Sequence, residues 1–516
     1  MSEKGNKYVA TLDIGTSTVR CIIINESGDH VGSSTKPVTL LYPQPGYVEI
    51  EPEYLWKTVL EVIRSAIKDA SLEASDITCL GISTQRCTFI TWDKNTGKHY
   101  HNFITWKDLR ADSLVRQHNS SYMMWGLRFS AKCLYTVTRQ KRYLAASDLK
   151  AMNVQIVCRL EWVLQWVPEV RRAAQLGTAV YGMLDSWLLY RLTGGKLHMT
   201  DVSCASASGL FDPFALQYVD LLLRMYHIPA SMLPRVCDSA GDHFGLTAAH
   251  LLGHPVPIRC SVADQSASLF GSCCFSEGDT KVTLGTGTFL NVNTGRQPHA
   301  SISGLYPLVG WRVADELVYM AEGSSSDTAT LMQWLQDMGL ASNPTETSKI
   351  AASVSDTDGV LFIPSFSGIQ APVNDSRAAA GFIGLKPTTR PAHLVRAVLE
   401  SVALRIAQVY QLLRQETNYP CSLVRVDGGV SSNDLIMQMT ADLTESKIER
   451  AESVEMSAVG AAYLAGISAG IWKDKQEVVK LRKVEVCFTP KEKNEMTEEK
   501  VKEWARALER FLHWYS

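Results

Sequence analysis

The chain has 516 residues, 46% of them hydrophobic and 20% charged. That length exceeds one ordinary core and that balance excludes a disordered chain, so two or three globular domains are expected. With 51 Lys and Arg against 53 Asp and Glu, the formal net charge is -2, which gives no general electrostatic reason to bind nucleic acid or an acidic membrane.

The start, MSEKGNKYVATLD, lacks the apolar run of a signal peptide, and the 12 cysteines show no zinc-ligand spacing. Reduced thiols in a cytoplasmic protein are the expectation. YVATLD, GTST and VRCIIIN read as strand, turn and strand, a β-hairpin. Leu55, Val59, Val62, Ile63 and Ala66 then recur at helical spacing, and ITCLGIST returns to strand. Such alternation predicts an α/β protein with a mixed sheet. GISTQRCTFITW, residues 81–92, suits a largely buried strand, yet it carries Arg86 with Cys87 beside it. A buried guanidinium needs partners.

In VADQSASLFG, Asp264 and Gln265 follow an apolar segment and precede a helix. A carboxylate at a strand end suits a general base for a hydroxyl; it equally suits a helix N-cap, and these residues alone do not choose. KVTLGTGTFLNVNTG at 281–295 echoes TLDIGTSTVRCIIIN at 11–25, close to half the chain away. Two halves opening on one hairpin predict a duplicated domain with an active site in the cleft between the copies. There is no Walker A sequence and no full GxGxxG. The candidates for holding phosphates are the two Gly-Thr turns, with the hydroxyls of Thr16, Ser17, Thr18, Thr286 and Thr288, because consecutive backbone N–H groups make anion nests. Asp13 ends the first strand, placed to organise a hydrated Mg²⁺. Taken singly, either turn reads as an ordinary hairpin.

GVLFIPSFSG and LVRVDGG are strand-then-glycine patterns that admit a ligand close to the backbone. Met456 to Trp472, seventeen uncharged residues rich in Gly, Ala and Ser, fall short of a membrane span and read as a tightly packed buried helix. Within it GISAG matches a nucleophile elbow, with Asp474 and His513 following. An elbow needs a strand before the serine, and AVGAAYLA looks helical, so Ser468 is read as packing. Val501, Trp504, Leu508 and Leu512 mark a final amphipathic helix.

Together LDIGTSTVR, YPQPGYVEIEPEYLW, GISTQRCTFITW, ADQSASLFG, LGTGTFLNVNTG, PSFSGIQAP, RVDGGVSSNDLIMQM and SAVGAAYLAGISAGIW resemble the FGGY carbohydrate kinases, and within them the glycerol kinases, with departures that point to the divergent glycerol kinase 5 subgroup. The resemblance runs from residue 8 to about 490. It implies two ribonuclease H-like (actin-like ATPase) domains: 6–272 for substrate and phosphate, 273–516 for nucleotide, with the catalytic cleft between them. It implies transfer of the γ-phosphoryl group of ATP to a polyol, glycerol first, with Mg²⁺. Asp264 then looks like the base and a metal partner, Gln265 like a substrate partner, and Asp13 like the metal organiser. Thr16, Ser17, Thr18, Thr286, Gln333, Gly429 and Asn433 match the ATP side, where Ala329 stands in place of the family's usual glycine, a small change; Arg86, Trp106 and Phe289 match the glycerol pocket. A homo-oligomer is compatible with it.

Two departures stand out. The family follows the pocket arginine with a glutamate that binds substrate hydroxyls; here that position is Cys87, a weak hydrogen-bonding group. The family's pocket tyrosine maps to Val154, with Tyr143 as a substitute only if the poorly matching 118–160 segment folds differently. Losing a hydroxyl partner costs affinity where a site is built around that hydroxyl. Two other readings therefore stay open: an FGGY kinase for another polyol or sugar, and a nucleotide-binding regulatory protein.

Overall fold

The computed structural model describes residues 7–491 and 495–515, so the stretch before residue 7 lies outside it. The expected hairpin is present: strand Tyr8–Ile14 pairs antiparallel with Thr18–Asn25. Tyr8–Ile14 is buried on both faces, which explains its continuous apolar sequence. It is the middle strand of a five-stranded sheet in the order Ile258–Ala263, Ile77–Thr84, Tyr8–Ile14, Thr18–Asn25, His30–Pro37. The helix Pro52–Asp69 packs Leu55, Val59, Val62 and Ile63 against this sheet.

The second half repeats the arrangement. Thr280–Leu284 pairs antiparallel with Thr288–Gly295, which pairs antiparallel with Glu316–Ser325. On its other side Thr280–Leu284 runs parallel to Leu423–Asp427, and that strand parallel to Lys447–Ala451. The first sheet has the same sequence of pairings: antiparallel, antiparallel, parallel, parallel. Edge strands Tyr306–Val313 and Val484–Phe488 extend the second sheet to seven. The echo between residues 11–25 and 281–295 is thus the visible part of a repeated five-strand core.

The halves meet through two helices. Asp264–Gly271 lies across Met456–Ser468, and a Cβ on Gly460 would overlap the carbonyl of Ala267. Only glycine permits this approach. Met456–Ser468 also packs on the strands of the first sheet, so the uncharged segment is a buried helix, as expected. Ser468 is its last residue, which removes the strand an elbow requires. Trp504 and Leu508 of the helix Glu495–Glu509 bury against Ile363 and Leu404, with Leu512 just beyond the helix end. Among the described residues no helix is long and apolar enough to cross a membrane.

The 81–92 segment differs from its expectation. It is two strands, Ile77–Thr84 and Phe89–Asp93, broken at residues 85–88, where Cys87 has φ +63°. Ile77–Thr84 belongs to the five-stranded core sheet; Phe89–Asp93 joins a separate four-stranded sheet, pairing with Ala179–Met183. The break carries Gln85 and Arg86 out of the sheet. Nearby, Asp185 is fully buried; one oxygen accepts from Thr200 Oγ1 at 2.6 Å and the other has no partner. Burial, partly offset by Thr200, pushes its pKa up to about 7.

Candidate active site

The site is built where strands of the two sheets end. Asp13 lies at the end of Tyr8–Ile14, and Gly15 N–H closes the first turn onto the Thr18 carbonyl at 2.9 Å. Thr16 Oγ1 accepts from Trp106 Nε1 at 2.9 Å and donates to Gln85 Oε1 at 3.3 Å. Gln85 Nε2 donates to the Gly15 carbonyl at 3.0 Å, so Gln85 braces the turn from below. In the second turn Gly285 N–H donates to the Gly287 carbonyl at 3.0 Å, and Ala329 N–H to the Thr286 carbonyl at 3.1 Å. The turns face each other: Ser17 Oγ and Thr286 Oγ1 are 3.3 Å apart. Two hydroxyl-lined nests from opposite halves therefore share one opening.

Carboxylates line the same place. Asp13 is buried, and its Oδ1 has no hydrogen-bond partner. Burial, only partly offset by Ser83 and Arg20, pushes its pKa up to about 7. Asp264 opens the helix Asp264–Gly271, its side chain 21% exposed, with Oδ1 accepting from Gln265 N–H at 2.8 Å. Burial raises its pKa and Arg86 draws it back. Asp264 is the first residue of this helix and not its N-cap, which is Ala263; its carboxylate takes up one helix N–H and stays partly exposed. Asp264 lies close enough to Asp13 to raise its charging cost, and Asp13 Oδ1 is an orphaned buried oxygen. This donor set fits a hard divalent cation with an incomplete protein shell.

Arg86 has protein partners that the sequence did not reveal. Its Nη2 lies 2.7 Å from both Oε1 and Oε2 of Glu322, and its Nε is 3.7 Å from Asp264 Oδ1. Glu322 sits in Glu316–Ser325 of the second sheet and also accepts from Asn291 Nδ2 at 2.8 Å. Arg86 thus joins the halves across the cleft. Its guanidinium lies 5.9 Å from the centre of the Phe289 ring, and Trp106 stands by the first turn, bonded to Thr16.

Gln265 is 4% exposed, and its Oε1 accepts from Lys281 Nζ at 2.5 Å. Lys281 is fully buried, bonded also to Thr283, which in turn donates to Asp427. Burial lowers the pKa of Lys281 and raises that of Asp427. This buried chain ties Gln265 to the strand before the DGG turn. There Gly428 has φ +85° and a Cβ would overlap Leu284, whereas a Cβ on Gly429 would meet nothing within 4 Å. Asn433 caps the helix Asp434–Thr444 and reaches Thr347 Oγ1 at 3.4 Å. Ala329 is tied to the second turn. Gln333, one turn on in the same helix, is exposed, with Nε2 donating to Asp337 at 2.9 Å.

Cys87 turns away from this opening. Its Sγ donates to the Ala207 carbonyl at 3.2 Å within an apolar cluster, and burial pushes its pKa up to about 11. Val154 offers its carbonyl to Arg159 Nη2 at 2.8 Å. The residues that the sequence left unnamed are Gln85, Lys281 and Glu322. Lys281 and Glu322 are charged side chains inside apolar strands, TKVTL and LVYMAEG, and that was the available signal; Gln85 lies in the break after Ile77–Thr84 and gave none.

The N-terminal domain of the FGGY family of carbohydrate kinases matches residues 8–271, and its C-terminal domain residues 280–469. The chain is 46% identical to glycerol kinase 5 of Danio rerio, over 99% of this chain and 98% of that protein. It is 37% identical to glycerol kinase 2 of Thermotoga maritima, over 98% and 99%. The crystal structure of Plasmodium falciparum glycerol kinase with ADP is similar at a TM-score of 0.86 and 29% identity, covering 98% of each chain. Its repeated cores and the match of both halves place it: this chain belongs to the FGGY family of carbohydrate kinases.

Proposed function

We propose that the chain transfers the γ-phosphoryl group of ATP to glycerol, giving sn-glycerol 3-phosphate and ADP. The observation that carries this reading is the meeting of the two Gly-Thr turns, Ser17 against Thr286, beside Asp264 and Arg86. In this reading residues 6–272 bind polyol and phosphate and residues 273–516 bind the nucleotide; residues 6, 492–494 and 516 lie outside the described ones. The nests hold the phosphates through backbone N–H groups and the hydroxyls of Thr16, Ser17, Thr18 and Thr286. Gly429, with open space above it, Asn433, Ala329 and Gln333 border the nucleoside.

Asp264 removes the proton of the acceptor hydroxyl as that oxygen bonds to the γ-phosphorus and the bond to the ADP oxygen breaks. Asp13, with Asp264, would hold Mg²⁺, which when bound neutralises charge on the phosphates. Arg86 has five donors; with Nη2 held by Glu322, the rest of its fork is fixed toward a polyol oxygen, while Trp106 and Phe289 wall the pocket. Gln265 Nε2 remains for a hydroxyl.

Two groups from the second half lie near the departures at Cys87 and Val154. Glu322 supplies a carboxylate to Arg86 from the second half. Tyr306 pairs directly across from Glu322, and its hydroxyl reaches Met152 Sδ at 3.1 Å, two residues from Val154. A phenol therefore arrives at the loop from the opposite domain. Measuring ADP release over a panel of polyols tests the reading: glycerol turnover supports it, and turnover of another polyol without glycerol rejects it. Asp264→Ala should lower kcat by about 10²–10⁴-fold, the usual worth of a general base, with ATP binding retained. Unchanged turnover would remove Asp264 from the chemistry.

A further inference from the structure

Within the 118–160 segment one helix carries the largest group of exposed apolar side chains among the described residues. This helix, Tyr122–Thr138, spans 17 residues, about 26 Å at 1.5 Å per residue. Met124 and Ala131 are its buried residues. Arg128 holds that side down, donating to the Leu149 carbonyl at 2.7 Å and to Asn119 Oδ1 at 3.2 Å. The opposite side is exposed and apolar: Tyr122 is 94% exposed, Trp125 65%, Phe129 56% and Val137 83%, with Met123 and Leu134 beside them. At about 100° per residue these six cover roughly half the helix circumference. Trp125 and Phe129 stack in parallel, their ring centres 5.5 Å apart. Monomeric proteins rarely leave so continuous an apolar face without a use.

Charge identifies the occupant. Residues 113–147 contain six Lys and Arg and no Asp or Glu, in a chain whose net charge is -2. Lys132, Arg139 and Lys141 are exposed at the C-terminal half and end of this helix. An isologous contact between two copies would set these like charges against one another, with no acid in the segment to pair them. An anionic bilayer accepts both features: aromatic and aliphatic side chains enter the headgroup and acyl boundary while the basic rim meets lipid phosphate. The helix is anchored along one side and protrudes on the other, so it would lie in the membrane plane. It is not long and apolar enough to cross.

We propose that this helix is a membrane-surface anchor that docks the kinase on anionic phospholipid. The test is flotation of the full chain with vesicles of phosphatidylcholine, with and without phosphatidylserine, at low and physiological salt. Co-flotation with the phosphatidylserine vesicles alone, weakening as salt rises, is expected. Trp125→Ala with Phe129→Ala, and separately Lys132→Glu with Lys141→Glu, should each weaken it at least tenfold, while polyol turnover in solution stays unchanged, since none of these residues lines the cleft. The proposal is overturned if the wild type does not float with phosphatidylserine vesicles, or if either pair of substitutions leaves flotation intact. It is also overturned if sedimentation shows that the face instead joins two copies, in a complex that Trp125→Ala dissolves.

Discussion

Replacing Glu322 by Gln keeps the shape of the side chain and removes its charge. In the wild type both Glu322 oxygens lie 2.7 Å from Arg86 Nη2, and the two side chains are 9% and 7% exposed. Solvent screening is therefore slight. Removing one partner of a buried ion pair leaves the other uncompensated, at a cost of about 3–5 kcal/mol. Asp264, 3.7 Å from Arg86 Nε, takes up some of the freed charge, so a stability loss of about 2–3 kcal/mol is expected. For turnover, the charge-assisted bond that orients Arg86 is worth about 1.5–3 kcal/mol. At about 1.4 kcal/mol per decade, kcat/KM for glycerol should fall about 10- to 150-fold.

The pH profile separates positioning from mere bracing. Glu322 raises the pKa of Asp264, and Arg86 lowers it. Without Glu322, Arg86 acts on Asp264 alone, so the carboxyl ionises at lower pH. The base works deprotonated, and the acid limb of kcat/KM should move to lower pH even as the plateau drops. ADP release with saturating ATP across pH, with thermal unfolding of the same samples, measures both. A variant that melts earlier yet keeps its plateau and its acid limb would refute the reasoning and leave Glu322 as a brace between domains.

Other outcomes follow from the same geometry. Gly460→Ala puts a methyl into the Ala267 carbonyl, and its thermal midpoint should drop by the equivalent of about 3 kcal/mol or more, since two backbones must part; an unchanged midpoint would mean the crossing relaxes freely. Asp185 has its pKa raised by burial to about 7, so the wild type loses stability as pH rises from the unfolded value through about 7. Asp185→Asn removes that cost, up to about 4 kcal/mol, and the gain in midpoint over wild type should be larger at pH 8 than at pH 5; an equal gain would contradict the assignment. Cys87→Ala should change KM for glycerol less than about threefold, because a weak thiol donor facing Ala207 contributes about 1 kcal/mol or less, and to packing rather than the pocket. A large KM effect would return Cys87 to the substrate site.

Local chemistry made much of this protein legible in its sequence. The hairpins at 8–25 and 280–295 follow from short apolar runs around Gly-Thr turns, a signal carried by adjacent residues. The helix Met456–Ser468 was legible because small residues without charge leave few alternatives to tight burial. The metal candidate Asp13 and the catalytic candidate Asp264 stood out because each lies at a strand end. What lay beyond local reading was every partnership between the halves. Ser17 meets Thr286, and Arg86 meets Glu322, across 269 and 236 positions of chain. No periodicity or turn signal encodes such pairs, because only the packing of the two sheets brings them together. The sequence also misplaced Cys87. Its neighbour Arg86 faces the cleft, but the left-handed backbone at Cys87 turns the thiol into the core. The residue types determined two α/β halves that each open on a Gly-Thr turn. Tertiary structure decided how the buried guanidinium is neutralised, because a charge taken out of water can be satisfied from any element that folding brings within about 3 Å.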